Sequence, residues 1–399
     1  MLVCIVFVVA CEAPTNGEVK SGEHTIGSPN SIIHFDAPKL IALADQYLEQ
    51  APVPITTFSC PRSKGGIHDF YSEGDYWWPN PDDPDGPYIR KDGQSNPDNF
   101  VAHRKAMRDL NRWVATLVAA YQWTKNEKYA AHALLHLNAF FLNKNTLMNP
   151  SLLYAQAIKG RVTGRGIGII DSIHLIEITK AIEVLASLDY LKGAPLVGLK
   201  NWFNDYADWL NTHPYGLDEK DHGNNHSTWW AAQLAAFAHL AQREDLLEVA
   251  RLQFKKLLPE QMAKDGSFPE ELSRTKPYNY SLFNLEGYAV LCQIASTKED
   301  NLWNFESENG RFEKAWTFML PYIKDKSNWI KAPDVQYFDE LPIQSPGLLF
   351  TALAYQNEDF LTTWQSLDPE RKSEEIIRTY PIWQPTLWVD HFESPTDEK

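Results

Sequence analysis

The sequence is poor in cysteine and short of positive charge. Only four cysteines occur among 399 residues, and their spacing matches no zinc-binding pattern. Lysine and arginine number 37 against 52 aspartates and glutamates, which gives a formal net charge of −15. General binding of nucleic acid needs a basic face, so this class of function is disfavoured. An anionic substrate is not excluded, because a local cationic cleft can exist on an acidic protein.

The sequence also lacks the short motifs of several common enzyme classes. It contains no nucleophile elbow and no phosphate-cradling glycine loop. Its most polar segments do not offer the pair of carboxylates at a defined gap that glycoside hydrolysis normally uses. These absences leave chemistry that amide, imidazole, guanidinium and phenol groups can perform, and they predict neither a metal ion nor a cofactor.

Long hydrophobic runs are missing except at the start of the chain. Residues 2–10 form an apolar run that is too short to span a bilayer, and Cys11 follows it. The segment resembles a bacterial lipoprotein signal with Cys11 as the lipidated residue and residues 12–30 as a tether, although no Lys or Arg precedes the run. An ordinary secretory signal or a buried N-terminal strand is the alternative. The first interpretation predicts a location in the bacterial periplasm or at the cell surface, with a lipid anchor as the only contact to the membrane; otherwise the protein is secreted.

Helical periodicity is what the sequence has in abundance. From about residue 97 onward, most segments place apolar residues at spacings of three and four, as residues 99–124 do. About ten such segments occur, with no convincing run of alternating strands. Consecutive helices without a strict repeat predict an all-α fold, an (α/α) toroid or incomplete barrel of paired helices. We expect residues 31–399 to form a single catalytic domain after the signal and tether at 1–30. Whether Cys60 and Cys292 form a disulfide is left open.

Aromatic residues are numerous, with 14 tryptophans and 17 tyrosines, and several fall in a long loop. Residues 58–98 are rich in Pro, Gly and Asp, and a loop of this length in a compact domain is functional or disordered. Its large rings argue for order; they are Tyr71, Tyr76, Trp77, Trp78 and Tyr88. Such loops are expected to line a cleft where rings stack on sugars, and the alternative for any one ring is that it fills the core.

Two polar stretches stand directly before predicted helices. "DHGNNHSTWW" (221–230) contains Asn225 and His226, and "RTKPYNY" (274–280) begins with Arg274 and ends with Tyr280. The start of a helix offers unpaired N–H groups and a positive dipole end, which favour a carboxylate. Such a set suits β-elimination next to a sugar carboxylate, because the donors neutralise the charge that develops when the C5 proton leaves. Positive neighbours should also lower the pKa of a phenol that transfers protons.

These two stretches match a known family. "NNHSTWW" (224–230), followed by "DGSFPEELSRTKPYNYSLFNLEG" (265–287), resembles the alginate lyase superfamily of polysaccharide lyases. "DYWWPNP" (75–81), "GPYIRKDG" (86–93) and "GRVTGRGIGIIDS" (160–172) are similar to it as well. The resemblance covers about residues 33–300 and implies the (α/α) toroid that the periodicity favours.

The resemblance also implies roles for individual residues. Asn225 and Arg274 would neutralise the C5 carboxylate. His226 would be a further neutraliser or, for substrates that need anti elimination, the base. Tyr280 would be the acid and, for syn elimination, also the base. The gap between the arginine and the tyrosine is one residue shorter than in the family, which leaves Tyr278 as the alternative to Tyr280.

A second group of residues is expected to bind the substrate outside the reacting centre. It consists of Asn224, Tyr76, Trp77, Trp78, Arg90, Arg161, Arg165 and Tyr278. Each candidate has an ordinary structural alternative. Asn225 or Ser227 could cap a helix, and Arg274 could pair with Glu270 or Glu271, which lie four and three residues earlier. Arg161 and Arg165 lie four residues apart and could face one carboxylate together or remain solvated on a loop.

The favoured function is a lyase that cleaves a 1,4-linked polyuronate, alginate first, by β-elimination. A lyase for glucuronan or another uronan is the nearest alternative. A glycoside hydrolase on a similar toroid would depend instead on carboxylates such as Glu270, Glu271, Asp221 or Asp75. A non-catalytic glycan-binding lipoprotein would keep the aromatic residues without needing His226 and Tyr280 together. The expected partner is therefore an anionic polysaccharide, and not a nucleic acid.

Overall fold

The structure is a computed structural model that describes residues 36–389. The predicted signal, the tether and the lipidation site Cys11 lie outside these residues, so the anchor and the location of the protein stay predictions. The domain boundaries at 31 and 399 stay predictions as well, although one continuous hydrophobic core runs through the described part of the chain. Among the helices described, none combines the length and the apolar character that crossing a bilayer requires.

Helices dominate the described chain, as the periodicity predicted. They are α1 (Ala37–Tyr47), α2 (Ala102–Thr124), α3 (Glu127–Leu137), α4 (Leu175–Ser187), α5 (Gly193–Thr212), α6 (Pro214–Lys220), α7 (Asn225–Ala241), α8 (Glu244–Gln261), α9 (Pro269–Leu272), α10 (Pro277–Ala295), α11 (Glu313–Lys324), α12 (Pro346–Tyr355), α13 (Glu358–Ser366) and α14 (Glu374–Thr379). The longer helices agree with the sequence prediction, whereas α6, α9 and α14 are too short to show a periodic pattern.

The helices pack against their neighbours in a chain of contacts. Helix α2 packs on α3 and α4, α4 packs on α7, and α7 packs on α5, α8 and α10; α10 continues the series to α12, which contacts α13. This arrangement of paired helices confirms the all-α toroid expected from the sequence. The loops at one end of the helices are then free to form a cleft.

Four short strands lie in these loops and were not expected from the sequence. Strand β1 (Tyr71–Glu73) pairs in parallel with β4 (Tyr154–Ala157), and β2 (Trp77–Trp78) pairs antiparallel with β3 (Ile89–Arg90). Strands of two to four residues are too short to show an alternating pattern, so periodicity could not reveal them. Their effect is to order the aromatic-rich loop, which the sequence did predict.

Helices α7 and α10 form the centre of the fold. Nearly every residue of both helices is buried, so neither has the single apolar face of a surface helix. They approach closely: the ring of Trp229 stacks on Phe283 with centroids 5.1 Å apart, and a Cβ on Gly287 would meet the Trp229 ring at 3.1 Å. The two helix starts are therefore held by the rigid core, and both open on the same cleft.

The cysteines outside the predicted signal do not pair. Cys60 is partly exposed and Cys292 is buried, and both are free thiols. No disulfide therefore contributes to the stability of the described residues, and the question that the sequence left open is answered for this pair.

Candidate active site

A cleft of about 360 Å³ lies where the starts of α7 and α10 meet the aromatic-rich loop and α14. Eight of the residues singled out from the sequence line it, namely Tyr76, Trp77, Arg90, Arg165, Asn225, His226, Arg274 and Tyr280. The two polar stretches predicted to form one site are thus brought together. Within residues 36–389, no three His, Cys, Asp or Glu side chains form a cluster that could hold a metal ion.

The start of α7 is capped by the neighbours of Asn225 and His226. The Asn224 side chain accepts a hydrogen bond from the backbone N–H of His226 at 3.0 Å, and the hydroxyl of Ser227 accepts one from the backbone N–H of Gly223 at 2.8 Å. Asn224 is therefore the N-cap and is not among the residues that line the cleft, so its contact with substrate stays a prediction. Because Asn224 and Ser227 do the capping, Asn225 and His226 are not needed for it, and both line the cleft.

Asn225 is fixed by a buried carboxyl group. Its backbone N–H and its side-chain amide both donate to Glu271, each at 2.8 Å. Burial raises the pKa of Glu271 to about 7. The bond uses one of the two amide protons of Asn225, so the second proton remains for a ligand. Glu271 therefore orients Asn225, and the sequence alternative in which Arg274 pairs with Glu271 or Glu270 is not what the structure shows.

Arg274 and Tyr280 form the adjoining part of the cleft. The guanidinium group pairs with Asp92 at 3.1 Å and donates to the hydroxyl of Tyr280 at 3.3 Å. It also lies 4.4 Å from the centroid of the Tyr280 ring. Asp92 comes from the loop that follows β3, so a contact over 182 residues in sequence sets the position of this arginine.

The Tyr280 hydroxyl has a second tyrosine as its partner. It lies 2.9 Å from the hydroxyl of Tyr76, which in turn accepts a hydrogen bond from Arg378 at 3.4 Å. Lys276 lies beneath both rings, 5.3 Å from the Tyr76 centroid and 5.8 Å from that of Tyr280. Two phenol hydroxyls and three cationic side chains therefore meet at one point of the cleft.

The expectation of a lowered phenol pKa is not met in the cleft. Burial raises the pKa of Tyr280 well above its ordinary value, and the negative charge that an ionised Tyr76 would carry acts in the same direction. The Arg274 guanidinium opposes this shift without overcoming it. Desolvation of a charged form is costly, and here it outweighs one favourable neighbour. Tyr280 is therefore a neutral phenol that can donate its proton.

His226 is paired with a buried acid behind the cleft. Its Nδ1 lies 2.8 Å from Oε1 of Glu219, a residue of α6 that is fully buried. Burial, together with the positive charges of Arg274 and Arg165, lowers the pKa of His226 to about 3. The imidazole is therefore neutral at ordinary pH, so its partner decides which nitrogen carries the proton.

Tyr278 belongs to the core, which corrects its place among the candidate residues. The side chain is fully buried, its hydroxyl donates to the backbone carbonyl of Tyr322 at 3.1 Å, and its ring packs against Trp329 and Phe338. On a helix, residues two positions apart point in different directions. Tyr280 faces the cleft, and Tyr278 therefore faces the opposite way.

Three of the predicted binding residues cluster around one edge of the cleft. Trp77 lines it, and the guanidinium groups of Arg161 and Arg165 lie 5.1 and 5.9 Å from its ring centroid. Arg165 also lines the cleft, whereas Arg161 donates to the carbonyl of Tyr88 and lines a neighbouring groove. Trp78 lies outside the cleft, where it donates to the carbonyl of Gln94 and packs under Lys91.

Arg378 and Glu375 of α14 line the cleft although the sequence gave no signal for them. Arg378 pairs with Glu375 at 2.7 Å and with Asp75, and Glu375 also pairs with the buried Lys276. Glu219 was missed as well. These residues lie in short helices and outside the motifs, so only three-dimensional contact reveals them.

The carboxylates that a hydrolase would need are otherwise engaged. Burial alone would raise the pKa of Asp75, but the guanidinium groups of Arg104 and Arg378 outweigh burial and lower this pKa to about 2. Asp221 is exposed and pairs with Lys256, and Glu270 is exposed outside the cleft. None of these three is placed as a free acid facing the cleft.

Comparison with known proteins identifies the family of the chain. The model of the family described as alginate lyase matches residues 55–329, which is more than half of the chain. A curated alginate lyase of Pseudomonas syringae pv. syringae (strain B728a) is 31% identical over 134 residues, which cover 32% of this chain and 33% of the relative. The matched segment thus spans about a third of the length of that relative.

Solved structures extend the likeness over most of the described chain. The crystal structure of an alginate lyase from Bacteroides ovatus has a TM-score of 0.77 and 32% identity, and the match covers 86% of this chain and 92% of that one. Alginate lyase A1-III from Sphingomonas species A1 has a TM-score of 0.53 at 17% identity, covering 84% and 92%, and shares the fold. The chain therefore belongs to the alginate lyase family of polysaccharide lyases.

Proposed function

We propose that this protein cleaves alginate by β-elimination in the cleft between α7, α10 and the aromatic-rich loop. The observation that carries the proposal is the convergence of four groups: the Tyr280 hydroxyl lies 3.3 Å from the Arg274 guanidinium, and both share one cleft with Asn225 and His226. The related proteins are named alginate lyases, which favours alginate over other uronans.

The first step of the proposed reaction is neutralisation of the C5 carboxylate. Asn225 has a free amide proton, and Arg274 offers N–H groups whose present partner Asp92 is itself partly exposed. A substrate carboxylate can share or displace that partner. As the C5 proton leaves, negative charge moves onto the carboxylate, and donors already in place lower the barrier by about 3–4 kcal/mol each.

Proton transfer is assigned to Tyr280. In elimination the C5–H bond breaks, its electron pair forms the C4–C5 double bond, and the C4–O4 bond breaks as O4 takes up a proton. The neutral phenol of Tyr280 supplies that proton to O4. For syn elimination the same phenol oxygen takes up the C5 proton of the same reacting sugar as its own proton passes to O4, so Tyr280 ends the reaction as a neutral phenol. The Arg274 guanidinium at 3.3 Å stabilises the negative charge on that oxygen during the transfer. His226 is the alternative base for anti elimination.

Substrate binding is assigned to the loop side of the cleft. Trp77 presents a flat ring, and Arg90 and Arg165 line the same cleft. These cations stand out on a protein whose formal net charge is −15. Because Asp75, Asp171, Asp218 and Glu375 line the cleft as well, attraction of an anionic chain depends on the individual arginines and not on a net positive charge of the cleft. An anionic polysaccharide therefore fits the binding side better than a neutral glycan does.

A panel of polymers tests the proposal. Purified protein is incubated with alginate, polymannuronate, polyguluronate and glucuronan, and the ultraviolet absorbance of the C4–C5 double bond is followed together with product mass. We expect an absorbance increase with alginate. An increase only with glucuronan would move the substrate to that uronan, and shortened chains without the double bond would indicate hydrolysis. Binding without any cleavage would indicate a glycan-binding protein.

A further inference from the structure

We propose that Glu219 is a positioning residue that holds His226 with its proton on Nε2, so that this nitrogen donates a hydrogen bond into the cleft. The inference rests on the proposed function, because it assigns a task to a side chain behind one of the residues in that scheme. It concerns a residue of α6 that lies outside the motifs and does not itself line the cleft.

The geometry ties the imidazole to one orientation. Oε1 of Glu219 lies 2.8 Å from Nδ1 of His226, and Glu219 is fully buried whereas His226 lines the cleft. With Nδ1 turned toward the buried acid, the ring presents Nε2 to the cleft. The hydrogen bond made by one ring nitrogen fixes whether the other nitrogen carries a proton. Whether the proton in the contact between Glu219 and His226 belongs to Oε1 or to Nδ1 therefore decides whether Nε2 donates or accepts a hydrogen bond.

Charge considerations indicate a neutral pair. Burial raises the pKa of Glu219 well above its ordinary value, and burial also lowers the pKa of His226 to about 3. An ion pair between a buried carboxylate and an imidazolium is then disfavoured, because both charged forms lose their hydration. Each group accordingly carries one proton at neutral pH, and the remaining question is where each proton lies.

The second oxygen of Glu219 answers that question. Among the described residues, Oε2 of Glu219 is buried and has no hydrogen-bond partner. A proton on Oε2 would be a buried donor without an acceptor, which is costly. A proton on Oε1 instead forms the 2.8 Å bond to Nδ1. Since Nδ1 is then the acceptor, the proton of the imidazole lies on Nε2.

This assignment distinguishes the two roles that His226 could have. An Nε2–H group donates to the C5 carboxylate and to the enediolate-like state that forms from it. It has no free lone pair with which to remove a proton. His226 then joins Asn225 and Arg274 as a donor, and removal of the C5 proton falls to Tyr280. The backbone of α6 is fixed independently, because the Glu219 carbonyl accepts a hydrogen bond from the Ser227 hydroxyl at 3.0 Å.

Two substitutions of similar volume separate positioning from packing. In Glu219→Gln the amide N–H can donate to Nδ1, so Nε2 should stay protonated and most of kcat should remain. In Glu219→Met no donor remains. We expect kcat on alginate to fall roughly 10–100-fold, by analogy with the loss caused by removing the partner that orients a metal-bound histidine. KM and the thermal unfolding midpoint should change little.

Histidine-selective ¹⁵N NMR measures the tautomer of His226 directly. The His226 signals are identified by their loss in His226→Asn. They should show a proton on Nε2 in wild type and in Glu219→Gln, and a mixture of tautomers in Glu219→Met.

The contradicting results are equally specific. A proton on Nδ1 in the wild-type spectrum would overturn the assignment, as would a Glu219→Met variant with the kcat of wild type. If Glu219→Met fails to fold, the spectra of wild type and Glu219→Gln decide. If wild type cleaves no polyuronate, the proposed function fails, whereas the NMR result still settles whether Glu219 sets the tautomer.

Discussion

The cleft has two walls that are built differently. One wall consists of the starts of α7 and α10, where core packing holds the helices and the buried acids Glu271 and Glu219 fix Asn225 and His226. The other consists of the aromatic-rich loop and α14, which are joined by ion pairs such as that between Asp75 and Arg378. The difference suggests a division of work: the rigid helical wall carries the chemistry, and the loop wall binds the polymer. Each side offers neighbouring residues of the same type that serve as controls.

The largest effect is expected for Tyr280→Phe on the helical wall. Removing the hydroxyl removes the proton-transfer group, so the rate of double-bond formation should fall by roughly 10²–10⁴-fold. Tyr278→Phe is the matched control. It deletes a hydroxyl that donates to the Tyr322 carbonyl in the core, so it should cost about 1 kcal/mol of unfolding free energy and leave turnover nearly unchanged. Equal losses of activity in Tyr280→Phe and Tyr278→Phe would contradict the assignment of proton transfer to Tyr280.

Asn225→Ala should give the next largest effect. It removes a preorganised donor for the C5 carboxylate, and kcat should fall about 10²–10³-fold. The control is Asn224→Ala, which deletes the N-cap of α7 and should lower the unfolding free energy by about 1 kcal/mol. Steady-state rates and chemical denaturation measure the two quantities separately. An Asn225→Ala enzyme with wild-type kcat would remove this amide from the carboxylate-binding role.

On the loop wall, Trp77→Ala should weaken binding and leave the chemical step intact. Two guanidinium groups lie near its ring at the edge of the cleft. Loss of the ring should raise KM on the order of tenfold, which corresponds to about 1.4 kcal/mol, with little change in kcat. Trp78→Ala alters a ring outside the cleft and serves as the control. A kcat that collapses in Trp77→Ala would place this ring in the chemistry and would contradict the division between the walls.

A stability effect, separate from catalysis, is expected in the pH dependence of the helical wall. The pKa of Glu271 is raised to about 7 in the folded protein from an ordinary value of 4.5. The folded state therefore binds more protons between these values, and this carboxyl lowers the unfolding free energy as pH rises from 4.5 to 7, by up to about 1.4 kcal/mol per pH unit. Glu271→Gln should make that decline shallower in denaturant titrations, whereas the exposed neighbour in Glu270→Gln should leave it unchanged. The same slope in all three proteins would contradict a neutral, buried Glu271.

The two walls also differ in how far the sequence predicted them. Asn225 and His226 lie within a few residues of each other, and Arg274 and Tyr280 lie within one turn of a helix start, so short motifs could identify them. Sequence could not tell Tyr280 from Tyr278, because only the direction of each side chain from α10 separates them. Nor could it tell that Asn224, rather than its neighbour, caps α7.

The contacts between distant segments were beyond the sequence. Arg378 reaches Asp75 across 303 residues, and it lies in a helix of six residues beyond the part of the chain that the family model matches. Glu219 looks like an ordinary surface acid in a polar stretch, and only its burial behind His226 shows otherwise. The lowered phenol pKa was predicted from charges alone, whereas the structure adds the burial that reverses it.

The division between the walls is tested most directly by the binding of an alginate oligosaccharide to Tyr280→Phe in titration calorimetry, with absorbance recorded on the same samples. The account predicts that Tyr280→Phe binds the oligosaccharide without forming the double bond, and that Tyr280→Phe combined with Trp77→Ala binds it about tenfold more weakly. A folded Tyr280→Phe protein that still forms the double bond at the wild-type rate, or that no longer binds the oligosaccharide, would contradict it.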